Sequence, residues 1–378
     1  MRRRRVFFYV QHLLGIGHLA RASRIASALA ASGFEVTVVT GGSPVPGFPA
    51  ADVKHVALPP VLAGDKGFSG LADSDGKPVS DAFKDKRRDL LIKAYLACDP
   101  DIVIFEAFPF GRRQMRFELM PLLDVIAGKS PRPLVAASLR DILQERTKPG
   151  RAEETLEVVK EHFDLVLVHG DPAFARLEET YPFAAEIEDK VAYTGLVAGL
   201  PPEPPSQRFD VLVSAGGGAV GKELIGAALE AAGLLPSDLQ WCLITGPNLP
   251  QQDYDAFSAA APANVHLFRF RKDFASLLAG TRLSVSQAGY NTVCDIIRAG
   301  CASLLIPFTA GGETEQSTRA ARLEKLGLAG VLPEAEVTPE RLARDVEAML
   351  KRAKPLIPPL DLDGATKTAE ILARRALP

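Results

Sequence analysis

Apolar residues in this chain gather into short, continuous runs closed by Gly, Pro or charged residues. Continuous rather than alternating runs predict strands buried on both faces, as in parallel sheets. They fall at residues 6–10, 35–40, 101–105, 133–138 and 164–169, then at 210–214, 241–245, 265–268, 283–286 and 303–307. Helical spacing separates them: an alanine-rich segment at 20–32, one ending near Cys98, one opening near Lys222, then 291–298 and 365–376. Strands alternating with helices predict an α/β protein. Residues 45–89 show neither pattern and carry Lys84, Lys86, Arg87 and Arg88 near their end. They read as a loop, a lid or a solvated insertion.

The pattern breaks most sharply at GLPPEPPSQR, residues 199–208, where four prolines stand in a polar decapeptide. Such a segment is stiff and extended. It divides the chain into a domain at 1–199, a linker at 200–208, a second domain at 209–355 and a tail at 356–378.

At 378 residues the chain is long enough for two ordinary domains. A net charge of -2 argues against nucleic-acid binding, which needs a basic excess. Cys98, Cys242, Cys294 and Cys301 are scattered, with no metal-ligand spacing, and fit a reducing cytoplasm. No apolar run reaches the length of a membrane span. The start MRRRRVFFYVQHLLGIGH is unlike a signal peptide, because Gln11, His12 and His18 interrupt it. Arg2 to Arg5 read as solvated; the alternative is weak contact with anionic lipid, about 1 kcal/mol per charge.

Candidate chemistry sits in the loops after the strands. Gly15-x-Gly17-x-x-Ala20 has the form of a dinucleotide fingerprint, but the second strand ends in Thr40, where that fingerprint needs an acid. In the same loop His18 opens a helix whose dipole favours the neutral imidazole, a candidate general base. The bland alternative is a histidine filling a turn, which is the reading for His12. Glu106-Ala-Phe108-Pro-Phe110-Gly-Arg112-Arg113 follows a buried strand. Phe108, Arg112 and Arg113 could line an acceptor site; alternatively Phe108 and Phe110 are core and Glu106 pairs with an arginine. Arg140, Asp141, His169 and Asp171 end two further strands, and Glu106 and Asp141 are the rival candidates for the base.

In the second half, Ser214 runs into Gly216, Gly217 and Gly218 before a helix, a place that favours an anion. It is not a Walker loop, since the pattern fails at Gly221-Lys222-Glu223. The stretch 283–316 then reads strand, turn, helix, strand, loop. Its turns hold Ser286, Gln287, Gly289, Thr292 and Asp295, then Thr309, Gly311, Gly312, Glu313, Glu315 and Gln316. Amides for phosphate beside acids and amides for hydroxyls suit a nucleotide-sugar.

The order S-x-x-G-x-x-T-x-x-[DE], then A-G, P-F and a closing Gln resembles the donor-binding half of GT-B glycosyltransferases, above all the MurG-like family. EAFPFGRR resembles a segment of one bacterial branch of such enzymes. The resemblance is strong after Phe209 and weaker before it. It departs from the family at Asp295, where MurG-like enzymes carry Glu, and at Glu315-Gln316, where they carry two Gln. It implies two doubly wound Rossmann-like domains facing across a cleft, with a C-terminal helix returning to the first. It further implies inverting, metal-independent sugar transfer from a UDP-sugar to a cell-envelope, polysaccharide or lipid-linked acceptor, with no cofactor beyond that co-substrate. By resemblance Ser214 and Gly216 to Gly218 hold the diphosphate, with Gly17 beside them. Phe270-Arg271 lies at the uracil, Asp295 at the ribose, and Gly312, Glu313, Glu315 and Gln316 near the sugar. Two other functions share the architecture: a UDP-sugar hydrolase or 2-epimerase, and a non-catalytic nucleotide-sugar sensor.

Overall fold

The computed structural model describes residues 2–13, 17–45, 47–64, 67–144, 148–216, 221–246, 249–353, 355–356 and 359–375. They divide into two units, residues 1–197 with 361–378 and residues 198–360.

The first unit contains β1 (Arg5–Val10), α1 (Gly17–Ala31), β2 (Glu35–Thr40), β3 (Lys54–Ala57), β4 (Leu62–Gly64), β5 (Gly67–Ala72) and α2 (Asp81–Cys98). β6 (Ile102–Glu106), α3 (Arg116–Ala127), β7 (Leu134–Arg140), α4 (Arg151–His162), β8 (Leu165–His169) and β9 (Val191–Tyr193) follow. Seven strands form one sheet in the order β3-β2-β1-β6-β7-β8-β9, and every pairing is parallel. The apolar runs are continuous because both faces are covered: Val6 to Val10 and Ile102 to Phe105 have no exposed surface.

Residues 45–89, expected as a loop or lid, instead hold β3, the antiparallel hairpin β4–β5 and the first half of α2. The charged run misled because one of its members is buried. Arg87 has no exposed surface; its Nε pairs with Glu118 at 2.7 Å, and its Nη2 donates to Gln11 Oε1 at 2.6 Å. Its Nη1 donates to the Gly41 carbonyl at 3.0 Å. The pair ties α2 and α3 to the ends of β1 and β2. Of the N-terminal arginines, Arg2 and Arg5 pair with Asp101 and Asp99, and Arg4 donates to the carbonyl of Ala373 at 2.9 Å.

The second unit contains β10 (Val211–Ser214), α5 (Lys222–Leu234), β11 (Trp241–Ile244), α6 (Gln251–Ala260), β12 (Val265–Phe268), α7 (Phe274–Gly280) and β13 (Leu283–Ser286). It continues through α8 (Tyr290–Ala299), β14 (Ala302–Leu305), α9 (Glu315–Lys325), β15 (Ala329–Val331) and α10 (Pro339–Leu350). Its sheet is also parallel throughout, in the order β12-β11-β10-β13-β14-β15. The proline-rich segment, expected as a stiff linker between domains, falls inside this unit. A Cβ on Gly280 would sit 2.4 Å from Pro205 Cγ, and Arg271 donates to Gln207 at 3.0 Å.

The chain then re-enters the first unit at residue 361, rather than at the expected 356. There α11 (Gly364–Arg375) packs on α1. The Leu196 amide donates to the Asp361 carbonyl at 2.7 Å and that of Gly364 to Leu196 at 3.0 Å. Gly195 makes the return possible, since its φ is +84° and a Cβ would lie 2.5 Å from Asp361 Cγ. No helix among the described residues is long and apolar enough to cross a membrane.

Gly33 shares the left-handed backbone, at φ +89°, with nothing within 4 Å of a Cβ. Both Gly→Ala variants therefore incur the backbone strain, but only Gly195→Ala also crowds the tail, at an additional cost of about 1–3 kcal/mol. Urea unfolding followed by far-UV circular dichroism measures the difference; equal losses would show that the tail is not held there.

Candidate functional site

Each sheet reverses its strand order once, between β1 and β6 in the first unit and between β10 and β13 in the second. In parallel α/β sheets ligands bind beyond the carboxyl ends of the strands at that point. The site residues expected from the sequence concentrate at these two places.

In the first unit α1 begins at Gly17, earlier than expected, so His18 lies in its first turn. His18 Nδ1 is 2.9 Å from Oε1 of Glu106, the last residue of β6. The same oxygen accepts from Arg21, one turn along α1 on the face that carries His18. The other carboxylate oxygen accepts from Ser138 Oγ at 2.6 Å. Ser138 is the register partner of Glu106 on β7, and its Oγ is 2.9 Å from His169 Nε2. His169 ends β8, with its Nδ1 2.8 Å from Thr194 Oγ1. Glu106, His169 and Thr194 have no exposed surface, and Ser138 and Arg21 almost none.

The charges in this cluster are set by competition between burial and partners. Burial raises the Glu106 carboxyl, but the Arg21 guanidinium, His18 and Ser138 outweigh it and bring it down to about 2. His18 is pushed down to about 3, first by burial and then by the charge of Arg112. His169 is lowered to about 3 by burial and the charge of Arg21. At neutral pH the cluster is therefore an ionised carboxylate between two neutral imidazoles. With Glu106 accepting only, His18 carries its proton on Nδ1 and keeps a lone pair on Nε2. That is the state a general base needs.

Glu106 and Asp141, the rival bases, have no exposed surface, and a carboxylate sealed in protein cannot reach a substrate hydroxyl. Asp141 lies against Gly170 and accepts from the Ile142 amide at 2.9 Å. His18 keeps 18% of its side chain exposed. Phe108, expected in an acceptor wall, is core: 1% exposed, with ring centroids 6.3 Å from Phe105 and 6.4 Å from Phe163. Phe110 is buried too, against Tyr181. A strand this deep carries its aromatic continuation inward. Arg113 turns outward to Glu154. Arg112 stays by the site, with its Nε donating to the Gln11 carbonyl at 2.8 Å. Burial and the neighbouring Arg140 charge lower it to about 10.

In the second unit Ser214 Oγ accepts from the Gly216 amide at 3.5 Å. The left-handed Gly216, at φ +76°, would leave only 3.3 Å between an added Cβ and Gln287 Oε1. The loops after β10 and β13 thus touch. Gly217 and Gly218 lie outside the described residues. Ser286 is buried, and its Oγ has no hydrogen-bond partner among the described residues. Gly289 caps α8 and has open space where a Cβ would point; Thr292 and Asp295 follow on that helix, both half-buried.

Glu315 is a correction. It is 2% exposed and pairs at 2.6 Å with Arg319, a fully buried residue, whose Nη1 donates to the Ala288 carbonyl at 2.9 Å. It therefore braces the Gly289 turn rather than meeting a sugar directly. Gln316 Oε1 accepts from the Phe308 amide at 3.2 Å. Glu313 Oε1 accepts from the Glu315 amide at 2.9 Å, beside Gly312 at φ +77°. Phe270 is 64% exposed, while Arg271 is held by Asp273 at 2.7 Å.

Arg21, Ser138, Thr194 and Arg319 escaped the sequence reading. Only Arg21 had a usable signal there, its spacing of one helical turn from His18.

Two neutral imidazoles make the folded state bind fewer protons than the unfolded chain below pH 6.5, the ordinary histidine value. Stability should therefore fall as pH drops from about 6.5 towards about 3, these two histidines contributing up to two of the protons taken up on unfolding and Glu106 one more at the acid end of the window. Urea midpoints across that window measure the slope. His169→Gln should remove up to one proton from it, and an unchanged slope would contradict the neutral assignment.

Residues 211–368 match the glycosyltransferase family 28 C-terminal domain. One similar protein is the UDP-N-acetylglucosamine--N-acetylmuramyl-(pentapeptide) pyrophosphoryl-undecaprenol N-acetylglucosamine transferase of Thermotoga neapolitana. It is 28% identical over 181 residues, 48% of this chain and 51% of that protein. The transferase of the same name from Rhodospirillum centenum is 31% identical over 160 residues, 41% of each chain. The chain thus spans about half the length, or less, of these curated relatives. Similar solved structures extend over nearly all of it. Acinetobacter baumannii MurG gives a TM-score of 0.58 at 16% identity, covering 97% of this chain and 95% of that one. The calicheamicin glycosyltransferase CalG4 gives 0.62 at 17%, covering 100% and 95%. The chain has the GT-B fold of these solved structures, and its residues 211–368 match the glycosyltransferase family 28 C-terminal domain.

Proposed function

We propose that the protein moves a sugar from a UDP-sugar to a hydroxyl of a cell-envelope or lipid-linked acceptor, with inversion at the anomeric carbon and without a metal ion. The observation that carries this reading is His18 at the start of α1, 2.9 Å from the buried Glu106, in a chain whose residues 211–368 match the family 28 domain. The relatives' names give a UDP-sugar donor and a lipid-linked acceptor, and the reading takes both classes from them.

The division of labour follows the two units. His18 Nε2 takes the proton as the acceptor oxygen bonds to the anomeric carbon. The bond from that carbon to the diphosphate breaks, and its electron pair leaves on the phosphate oxygen. Glu106 stabilises the imidazolium that forms, and Arg21 keeps Glu106 ionised. In the second unit the amides around Gly216 and at the start of α5 receive the diphosphate. Asp295 is assigned to the ribose hydroxyls and Phe270 with the backbone near it to the base. Arg112 is assigned to the acceptor.

UDP should stabilise the protein, by about 2.7 kcal/mol at a hundred times its dissociation constant, and NAD should not. Thermal shift with both ligands decides the cofactor class; a shift with NAD alone would sink the reading. UDP release then separates the alternatives: release without any acceptor marks a hydrolase, and binding without release marks a sensor.

His18→Ala should leave UDP affinity nearly unchanged, because the assigned donor contacts other than the Gly17 backbone lie in the other unit, and reduce kcat by about 10²–10⁴. Titration calorimetry with UDP, beside turnover measurements, checks both halves. Full activity in this variant would remove His18 from the chemistry, and a loss of UDP binding would place it on the donor side.

A further inference from the structure

Behind His18 the polar chain continues through four residues that lie deeper than any substrate can reach. It runs from Glu106 to Ser138 at 2.6 Å, on to His169 at 2.9 Å, and ends on Thr194 at 2.8 Å. Each contact needs one proton, and the available protons admit a single arrangement. Glu106, beside the permanently charged Arg21, has no proton to give. Ser138 has one, with Glu106 on one side and His169 on the other. If Ser138 spent its proton on His169, its oxygen would face the carboxylate lone pair to lone pair at 2.6 Å. Ser138 therefore donates to Glu106 and must accept from His169, which places the His169 proton on Nε2. A neutral imidazole then has a bare Nδ1, and the Thr194 hydroxyl must donate to it. The other oxygens near Thr194 Oγ1, the carbonyls of Val168 and Gly195 at 3.4 and 3.0 Å, go without that proton.

We propose that Thr194, His169 and Ser138 are positioning residues forming a one-way hydrogen-bond chain, every proton pointing towards Glu106, which holds His18 in the Nδ1–H form with Nε2 open. The proton directions follow from the geometry of the first unit and from the neutral state that burial gives His169. The role assigned to them rests on the glycosyl-transfer reading. The arrangement has a physical purpose in that setting. A sealed carboxylate with few donors would pull a proton onto itself or clamp His18 as an imidazolium; extra donors spread its charge. His18 then remains a neutral base while Glu106 remains an anion. Thr194 stands next to Gly195, the residue at which the C-terminal tail docks, so the far end of the chain is anchored by the same turn.

Ring-nitrogen NMR of the full-length chain, labelled with [15N]histidine at pH 7, tests the directions without any substrate. The six histidines are assigned by single His→Gln variants. The expected spectrum shows His18 protonated on Nδ1 and His169 protonated on Nε2. His169 protonated on Nδ1 would overturn the proposal. Thr194→Val, similar in size but without the donor, should leave the His169 proton on Nε2, where Ser138 holds it, and shift only the Nδ1 signal; a move of that proton to Nδ1 would overturn the directions. Ser138→Ala, which removes a donor from the carboxylate behind His18, should shift the His18 ring nitrogens and lower kcat, with KM for donor unchanged. His18 nitrogens identical in wild type and Ser138→Ala would overturn the positioning role. Tautomers as stated, with no turnover of any UDP-sugar, would instead overturn the glycosyl-transfer reading.

Discussion

A carboxylate with no exposed surface is tolerated only when charged and dipolar partners replace its lost water, and Glu106 is such a group. Its partners come from two elements. Arg21 and His18 arrive on the first turns of α1 and Ser138 from the neighbouring strand β7, with His169 and Thr194 behind it. Satisfying that charge fixes where α1 begins relative to the sheet and which way the His18 ring turns. The same demand explains the neutral state of His18: burial and the nearby arginines outweigh the attraction of Glu106.

A second buried pair has the corresponding role between α2 and α3. Arg87 and Glu118 have no exposed surface. They join the two helices and reach the ends of β1 and β2 through Gln11 and the Gly41 carbonyl. Replacing either partner alone would strand the other charge, a far greater cost than the pair's net worth. The second unit repeats the device with Glu315 and Arg319, which grip the Ala288 carbonyl and hold the turn before α8. In all three cases an ion pair steadies a loop or strand end where a parallel sheet offers a ligand its place.

The sheets explain why so few residues matter. Both run parallel and reverse order once, so two loops in each unit diverge from neighbouring strand ends and leave room between them. His18 and Glu106 occupy that position in the first unit, and the Ser214–Gly216 and Ser286–Gly289 loops in the second. The proposed transfer assigns proton removal to one and the diphosphate to the other.

Local chemistry made much of this readable in one dimension. Buried strands such as 35–40, 265–268 and 283–286 announced themselves because a run covered on both faces must be apolar throughout. The glycine turns, His18 at a helix start and the order of the donor loops were equally local. Other features depend on neighbours distant in sequence. Arg87 sat in a charged run and looked solvated until Glu118 supplied a partner. Phe108 and Phe110 looked like a binding wall until Phe105, Phe163 and Tyr181 closed around them. Glu315 looked like a ligand to a sugar until Arg319 claimed it. Sequence by itself determined the parallel α/β architecture and singled out the loops beyond the strand ends and His18 as candidates, because propensity and periodicity act over a few residues. Tertiary structure alone decided which charges are buried, which carboxylates are sealed from substrate and which residues stand behind His18. Burial and pairing are properties of strands brought together from far along the chain, as Glu106, Ser138, His169 and Thr194 are.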